Sequence, residues 1–105
     1  MRDVTLTYIL DAAGNPHHEP DLLTWVDWID HHHPQLTHLD RLPNGGQVRT
    51  TFLGTDQRRS LRNPPMLWET LIVGGPHDGY QEHYSSQADA VAGHAQALAL
   101  AHGLT

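Results

Sequence analysis

An α+β fold in one small domain, four or five mainly antiparallel strands packed by two helices, is predicted by three observations. Apolar and β-branched residues alternate with period two in Val4 to Leu10, and further short strand-like runs follow it, as sheet formation requires. Two segments, about 21–32 and about 87–102, carry capping chemistry at one end and a stop signal (Pro34 and Gly103) at the other. Tight-turn sequences, Asn44-Gly45 and Gly74-Gly75-Pro76, join successive strand-like runs and so favour antiparallel neighbours. At 105 residues the chain supports a single hydrophobic core, so residues 1–105 are one domain.

The elements follow in order. Val4 to Leu10 places Val4, Leu6, Tyr8 and Leu10 on one face and reads as a strand. Asp11 to Pro16 is a turn by its Gly-Asn-Pro chemistry, and His17 to Pro20 is a short polar lead-in. Asp21 then caps the first helix, with Leu22, Trp25, Val26 and Ile29 as its expected buried stripe. Trp28 lies off that stripe. Leu36 to Leu42 and Gln47 to Leu53 flank Pro43-Asn-Gly-Gly46 as a hairpin. Thr55 to Pro65 lacks periodicity and reads as an exposed loop. Met66 to Val73 is nearly continuous in apolar character, which predicts the central strand. The Gly-Gly-Pro turn leads into Tyr80 to Ser85. Ser86 caps the last helix with Asp89 three residues on. Ala88, Val91, Ala92, Ala95, Leu98 and Ala99 form its expected buried face, and both helices are expected on one side of the sheet.

Composition excludes several function classes. Six Arg, no Lys and twelve acidic residues give a net charge of −6, so direct binding to a nucleic-acid backbone is disfavoured and a basic protein partner is favoured. Cysteine is absent, which removes disulfides, thiolate zinc sites and thiol nucleophiles. No apolar run reaches membrane-spanning length and no signal-peptide pattern opens the chain, so a cytoplasmic protein is the expectation.

The ten histidines raise the question of metal. His31, His32 and His33 are consecutive and cannot all face one ion from a helix. Asp27 and His31 share a face at i, i+4, and His17 and His18 are further candidates, yet no His-Glu-x-x-His spacing occurs and no cofactor is predicted. Glu69 interrupts an apolar strand, and His83 lies on the next one; with His94 they are the candidates for acid–base work. Gly93 reads as a point of close helix–sheet approach that lets His94 reach a polar group on a strand. Ser85 and Ser86 are explained as caps, and Gly74-Gly75 as turn geometry. The loop arginines Arg58, Arg59 and Arg62, together with Trp28, are the candidate binding residues.

In its wording, Phe52 to Asp56, Pro64 to Thr70, Gly74 to Pro76, Tyr84 to Ser86 and Gly93-His94, with the segment from Glu19 to Trp28, resemble a family of small uncharacterised proteins encoded by bacteriophages and prophages. Two departures are visible: Gln57 stands where the family often has His, and Val73 where it commonly has Phe. The resemblance implies a phage setting and no particular reaction. The resulting expectation is a small acidic accessory protein that binds a host or phage protein, for instance inhibiting a host defence or transcription factor. Two alternatives stand beside it: a minor metal- or acid/base-dependent enzyme using Glu69, His83 and His94, and a self-associating virion or scaffold component.

Overall fold

The computed structural model describes residues 6–33, 36–58 and 60–103. Eight elements follow one another: β1 (Tyr8–Leu10), β2 (Pro16–His18), α1 (Leu22–His32), β3 (Thr37–Arg41), β4 (Gln47–Phe52), β5 (Trp68–Val73), β6 (Gln81–Tyr84) and α2 (Gln87–Ala101). β1 and β2 form a small antiparallel pair, and β3-β4-β5-β6 form a four-stranded antiparallel meander. The α+β class is therefore as the sequence predicts. The first two residues of the first predicted strand, Val4 and Thr5, lie outside the described residues. Its remainder pairs with Pro16–His18, which is a strand rather than a lead-in. The turn between them is held by the Asp11 carboxylate, which accepts from the Ala13 and Asn15 amides at 2.9 Å.

Pleating divides the large sheet into two faces. The register sets Val48 beside Ile72, Thr50 beside Thr70 and Phe52 beside Trp68 on one face. Helix α2 packs across β4, β5 and β6, while α1 packs on β1. Trp28 of α1 meets Phe52 edge-on, with ring centroids 6.1 Å apart. The core has two parts. Leu42, Val48, Ile72 and Ala97 form one cluster; Phe52, Leu67, Trp68 and Ala90 form the other. The row between them on the sheet, Thr50 and Thr70, is polar and buried.

Both helices are turned from the expected orientation. In α1, Trp25, Trp28 and Ile29 are half-buried, whereas Leu22, Leu23 and Val26 are 59%, 80% and 42% exposed. The Trp25 indole donates to the Tyr8 carbonyl at 3.0 Å and fixes that rotation. In α2 the inward face is Ala90, Gly93, His94 and Ala97; Ala88, Val91, Ala92 and Ala95 face outward. Alanine surrounds this helix, so apolar periodicity carries little information about its rotation. Polar partners for His94 on the sheet decide it.

Caps and glycines lock the remaining geometry. Ser86 accepts from the Asp89 amide at 3.1 Å, as the capping pattern predicts. Asp21 accepts from the Leu23 amide at 3.3 Å. Gly54, with φ +72°, lies under α1: a Cβ there would stand 2.9 Å from Trp25 Nε1 and 3.0 Å from the Tyr8 carbonyl oxygen. Gly93 serves the same purpose in α2, because a Cβ would overlap the Tyr84 ring and hydroxyl.

Gly93→Ala therefore sets two effects against each other. Helix propensity alone would stabilise by about 1 kcal/mol, while overpacking against Tyr84 costs about 1–3 kcal/mol. Urea denaturation is expected to show net destabilisation in the wild-type background and stabilisation when Tyr84 is also changed to Ala. Stabilisation in both backgrounds would show that Tyr84 does not set the helix–sheet distance.

Candidate functional site

The polar row of the sheet meets α2 at His94. His94 is only 5% exposed. Its Nδ1 lies 2.7 Å from Thr50 Oγ1, which in turn lies 2.6 Å from Thr70 Oγ1. Its Nε2 lies 2.7 Å from Asp40 Oδ2. The ionised Asp40 carboxylate can only accept, so His94 Nε2 donates to it. In a neutral imidazole Nδ1 is then an acceptor; Thr50 donates to it and accepts from Thr70. Every hydrogen in the chain Thr70–Thr50–His94–Asp40 has a place, which is what burial of a polar chain demands.

Secondary structure brings these residues together. Asp40 and His38 are two apart on β3, hence on one face, and the register puts His38 beside Thr50 and Asp40 beside Val48. His38 Nε2 lies 3.3 Å from the same Asp40 Oδ2. The His38 ring stands edge-on to that of His94, with centroids 4.5 Å apart. The hydrogen bond from His94, aided by the positive charge that either imidazole can carry, holds the Asp40 carboxyl below its ordinary value of 3.8; desolvation opposes this shift.

His38, Asp40, Thr50 and His94 of this cluster line a cavity of about 510 Å³. Leu10, Leu36, Phe52, Trp68 and Leu98 supply apolar wall, and Ala95 and Val91 of α2 stand at its side. The size and the division into apolar walls and a few polar groups are those of a small-molecule site. Thr50 hydrogen-bonds an imidazole that is itself paired with a carboxylate, an arrangement shared with hydrolytic triads. The order of the nitrogens is reversed, and both the Thr50 amide and carbonyl belong to a mid-sheet strand paired on both sides. The arrangement is suited to holding a hydrogen-bonding group, and it displays no oxyanion cradle.

The residues singled out from sequence fall in several places. Glu69 and His83 are paired across β5 and β6, Oε2 to Nε2 at 3.0 Å, and Gln81 Nε2 donates to the same oxygen at 2.7 Å. His94, however, lies across the sheet from them, so the three do not form one site. Arg58 is tied into its loop: Nε is 2.7 Å from Asp56 Oδ2, and Nη1 donates to the Asn63 carbonyl at 2.9 Å. Asp56 also accepts from the Arg58 and Met66 amides, at 3.0 and 3.1 Å, closing the loop at its neck. Arg62 is exposed, and Arg59 lies outside the described residues. Trp28 stacks on His32 with centroids 4.2 Å apart and packs against the core.

His17 pairs with Asp11 at 2.8 Å, and His18 tilts against Tyr8. His31 lies 3.5 Å from Asp27, whose carbonyl and carboxylate raise the His31 pKa above 6.5. Among the described residues, the one group of three His or acidic side chains with ligand atoms all within 4.8 Å is His38, Asp40 and His94. Sequence reading missed His38, Asp40, Thr50 and Thr70. The available signal was His-x-Asp on a strand followed, across an Asn-Gly hairpin, by a threonine in register with the histidine.

No protein-family model matches this chain, and no curated protein or solved structure is significantly similar to it.

Thr50→Val keeps the side-chain shape and strand preference but strips His94 Nδ1 and Thr70 of their partner. Orphaning buried polar groups costs about 1–3 kcal/mol, so urea denaturation is expected to show a loss of that size. Thr51→Val, on the other face, where Thr51 meets Thr37 at 3.0 Å in a half-buried site, is expected to cost less. Adding Thr70→Val to Thr50→Val is expected to be less than additive. Equal costs at positions 50 and 51 would refute the buried relay.

Proposed function

We propose that this protein is a small ligand-binding domain whose ligand lies in the cavity between α2 and β3–β5. The ligand is a compact organic molecule with an apolar body and one hydroxyl or comparable hydrogen-bonding head. The observation that carries this reading is the fixed polar cluster, Asp40 and His94 with His38 beside them, in the lining of a mainly apolar cavity of about 510 Å³. Binding, rather than turnover, fits a site whose hydroxyls lie in the middle of a paired sheet.

A second reading is favoured by a different observation. Leu22, Leu23 and Val26 are exposed together on α1, flanked by Asp21, Asp27 and Asp30 in a chain of net charge −6. Such an apolar strip with an acidic border suits a protein partner with a basic rim. It supports a protein-binding role, and with the wording shared with phage proteins the second reading is an acidic accessory protein that binds, and inhibits, a host or phage protein. The described residues include no helix long and apolar enough to cross a membrane.

Titration with para-cresol, followed by amide nitrogen–proton correlation spectra, tests the first reading. Shifts are expected at Thr50, His94 and Leu98, and Ala95→Trp, which fills the cavity side, is expected to abolish them. Shifts confined to α1, or shifts that survive Ala95→Trp, would overturn the cavity as the binding place.

A further inference from the structure

We infer that His38, Asp40 and His94 bind one divalent transition-metal ion of the zinc, cobalt, nickel or iron(II) class, with its open coordination positions facing the cavity. The inference rests on the cavity reading only for what would occupy those open positions; the ion itself needs the three side chains alone.

The first support is geometry. Ligand atoms about 2.1 Å from a metal stand roughly 3.4 Å apart in a tetrahedral site and about 3 Å apart at octahedral corners. Asp40 Oδ2 is 2.7 Å from His94 Nε2 and 3.3 Å from His38 Nε2, and all three atoms fall within 4.8 Å of one another. To surround an ion, the Asp40 carboxylate must swing off the His94 Nε2–H axis and His38 must close on His94, side-chain rotations open to half-exposed Asp40 and exposed His38. Two imidazoles and one carboxylate on a shared face are a donor set for borderline divalent ions, and they leave other positions free.

The second support is chemistry behind the donors. Two imidazole nitrogens converge on a single carboxylate oxygen, which is where a cation would replace hydrogen bonds. When His94 Nε2 takes the metal, its proton moves to Nδ1, and the imidazole stays neutral. Nδ1–H then donates to Thr50, whose hydroxyl turns to donate to Thr70. A hydroxyl both donates and accepts, so Thr50 serves either direction. A metal-bound histidine whose other nitrogen is fixed by a buried acceptor is the usual arrangement behind metal ligands. The Glu69–His83 pair on the opposite face and the solvent-facing Asp27–His31 pair lack a third donor at that range among the described residues.

Calorimetric titration of untagged protein with Zn²⁺, with Co²⁺ absorption as a second probe, tests this. The wild type is expected to take up a single ion. His38→Ala and Asp40→Asn, at positions exposed enough to leave the fold intact, are each expected to weaken binding by about tenfold or more, and Thr50→Val by about tenfold through the lost support of His94. The double change His31→Ala with His32→Ala is expected to leave binding unaltered. Absence of uptake by the wild type, or uptake that only the His31/His32 change removes, would overturn the inference. Para-cresol shifts in the cavity of protein that takes up no metal would also overturn it, while leaving the cavity reading intact.

Discussion

A buried imidazole needs partners for both of its nitrogens, and His94 finds them in two different strands. Thr50 on β4 meets one nitrogen and Asp40 on β3 the other. These two bonds set the rotation of α2 about its axis and its position along the sheet, because a turn of one residue would leave a histidine unsatisfied inside the protein. Once the helix is so placed, Gly93 must face Tyr84, Ala90 and Ala97 must fill the two flanking clusters, and Val91 must face out. The small side chains of α2 allow this closeness; the histidine decides where it occurs.

The same requirement explains which parts of the fold were legible in sequence. The strands and turns of the four-stranded meander were readable since their signals are local: strand-like runs, Asn-Gly in the hairpin, Gly-Gly-Pro after β5, Ser86 and Asp21 as caps; β2, three residues of Pro-His-His, carries no such signal. The helix faces were not readable either. An alanine-rich helix looks alike from every side, and the rule that apolar residues go inward favours Val91 over His94. For α1, Leu22 and Val26 fit the expected stripe, but the Trp25 indole bond to Tyr8 outweighs periodicity. The site was half legible. His94 stood out beside Gly93 and was expected to reach a strand, but its partners come from strands whose register no local signal specifies in detail. Glu69 and His83 were readable as residues of successive strands, and the short turn between those strands sets them opposite one another.

The arginine loop shows that a run of charges in sequence need not all face outward. Arg58, Arg59 and Arg62 concentrate half of the chain's six cationic side chains in a few residues, which looks like a patch offered to a partner. Arg58 is instead engaged by Asp56, a carboxylate that also accepts two backbone amides and so closes a loop from Gln57 to Pro65. The charge of Arg58 is thus engaged within the loop, while Arg62 stays exposed on it.

The separation of the partners along the chain has a kinetic meaning. Neighbouring strands of the meander are joined by short connections, except for the loop before β5, and their pairings are local. The Asp40–His94 bond spans 54 residues and the Thr50–His94 bond 44. Closing such long loops costs entropy that local hairpins do not. The order of assembly that follows is hairpins first, sheet next, and α2 settling over Thr50 last. The polar cluster of the cavity comes into being with that final step, so only a completely folded chain possesses it.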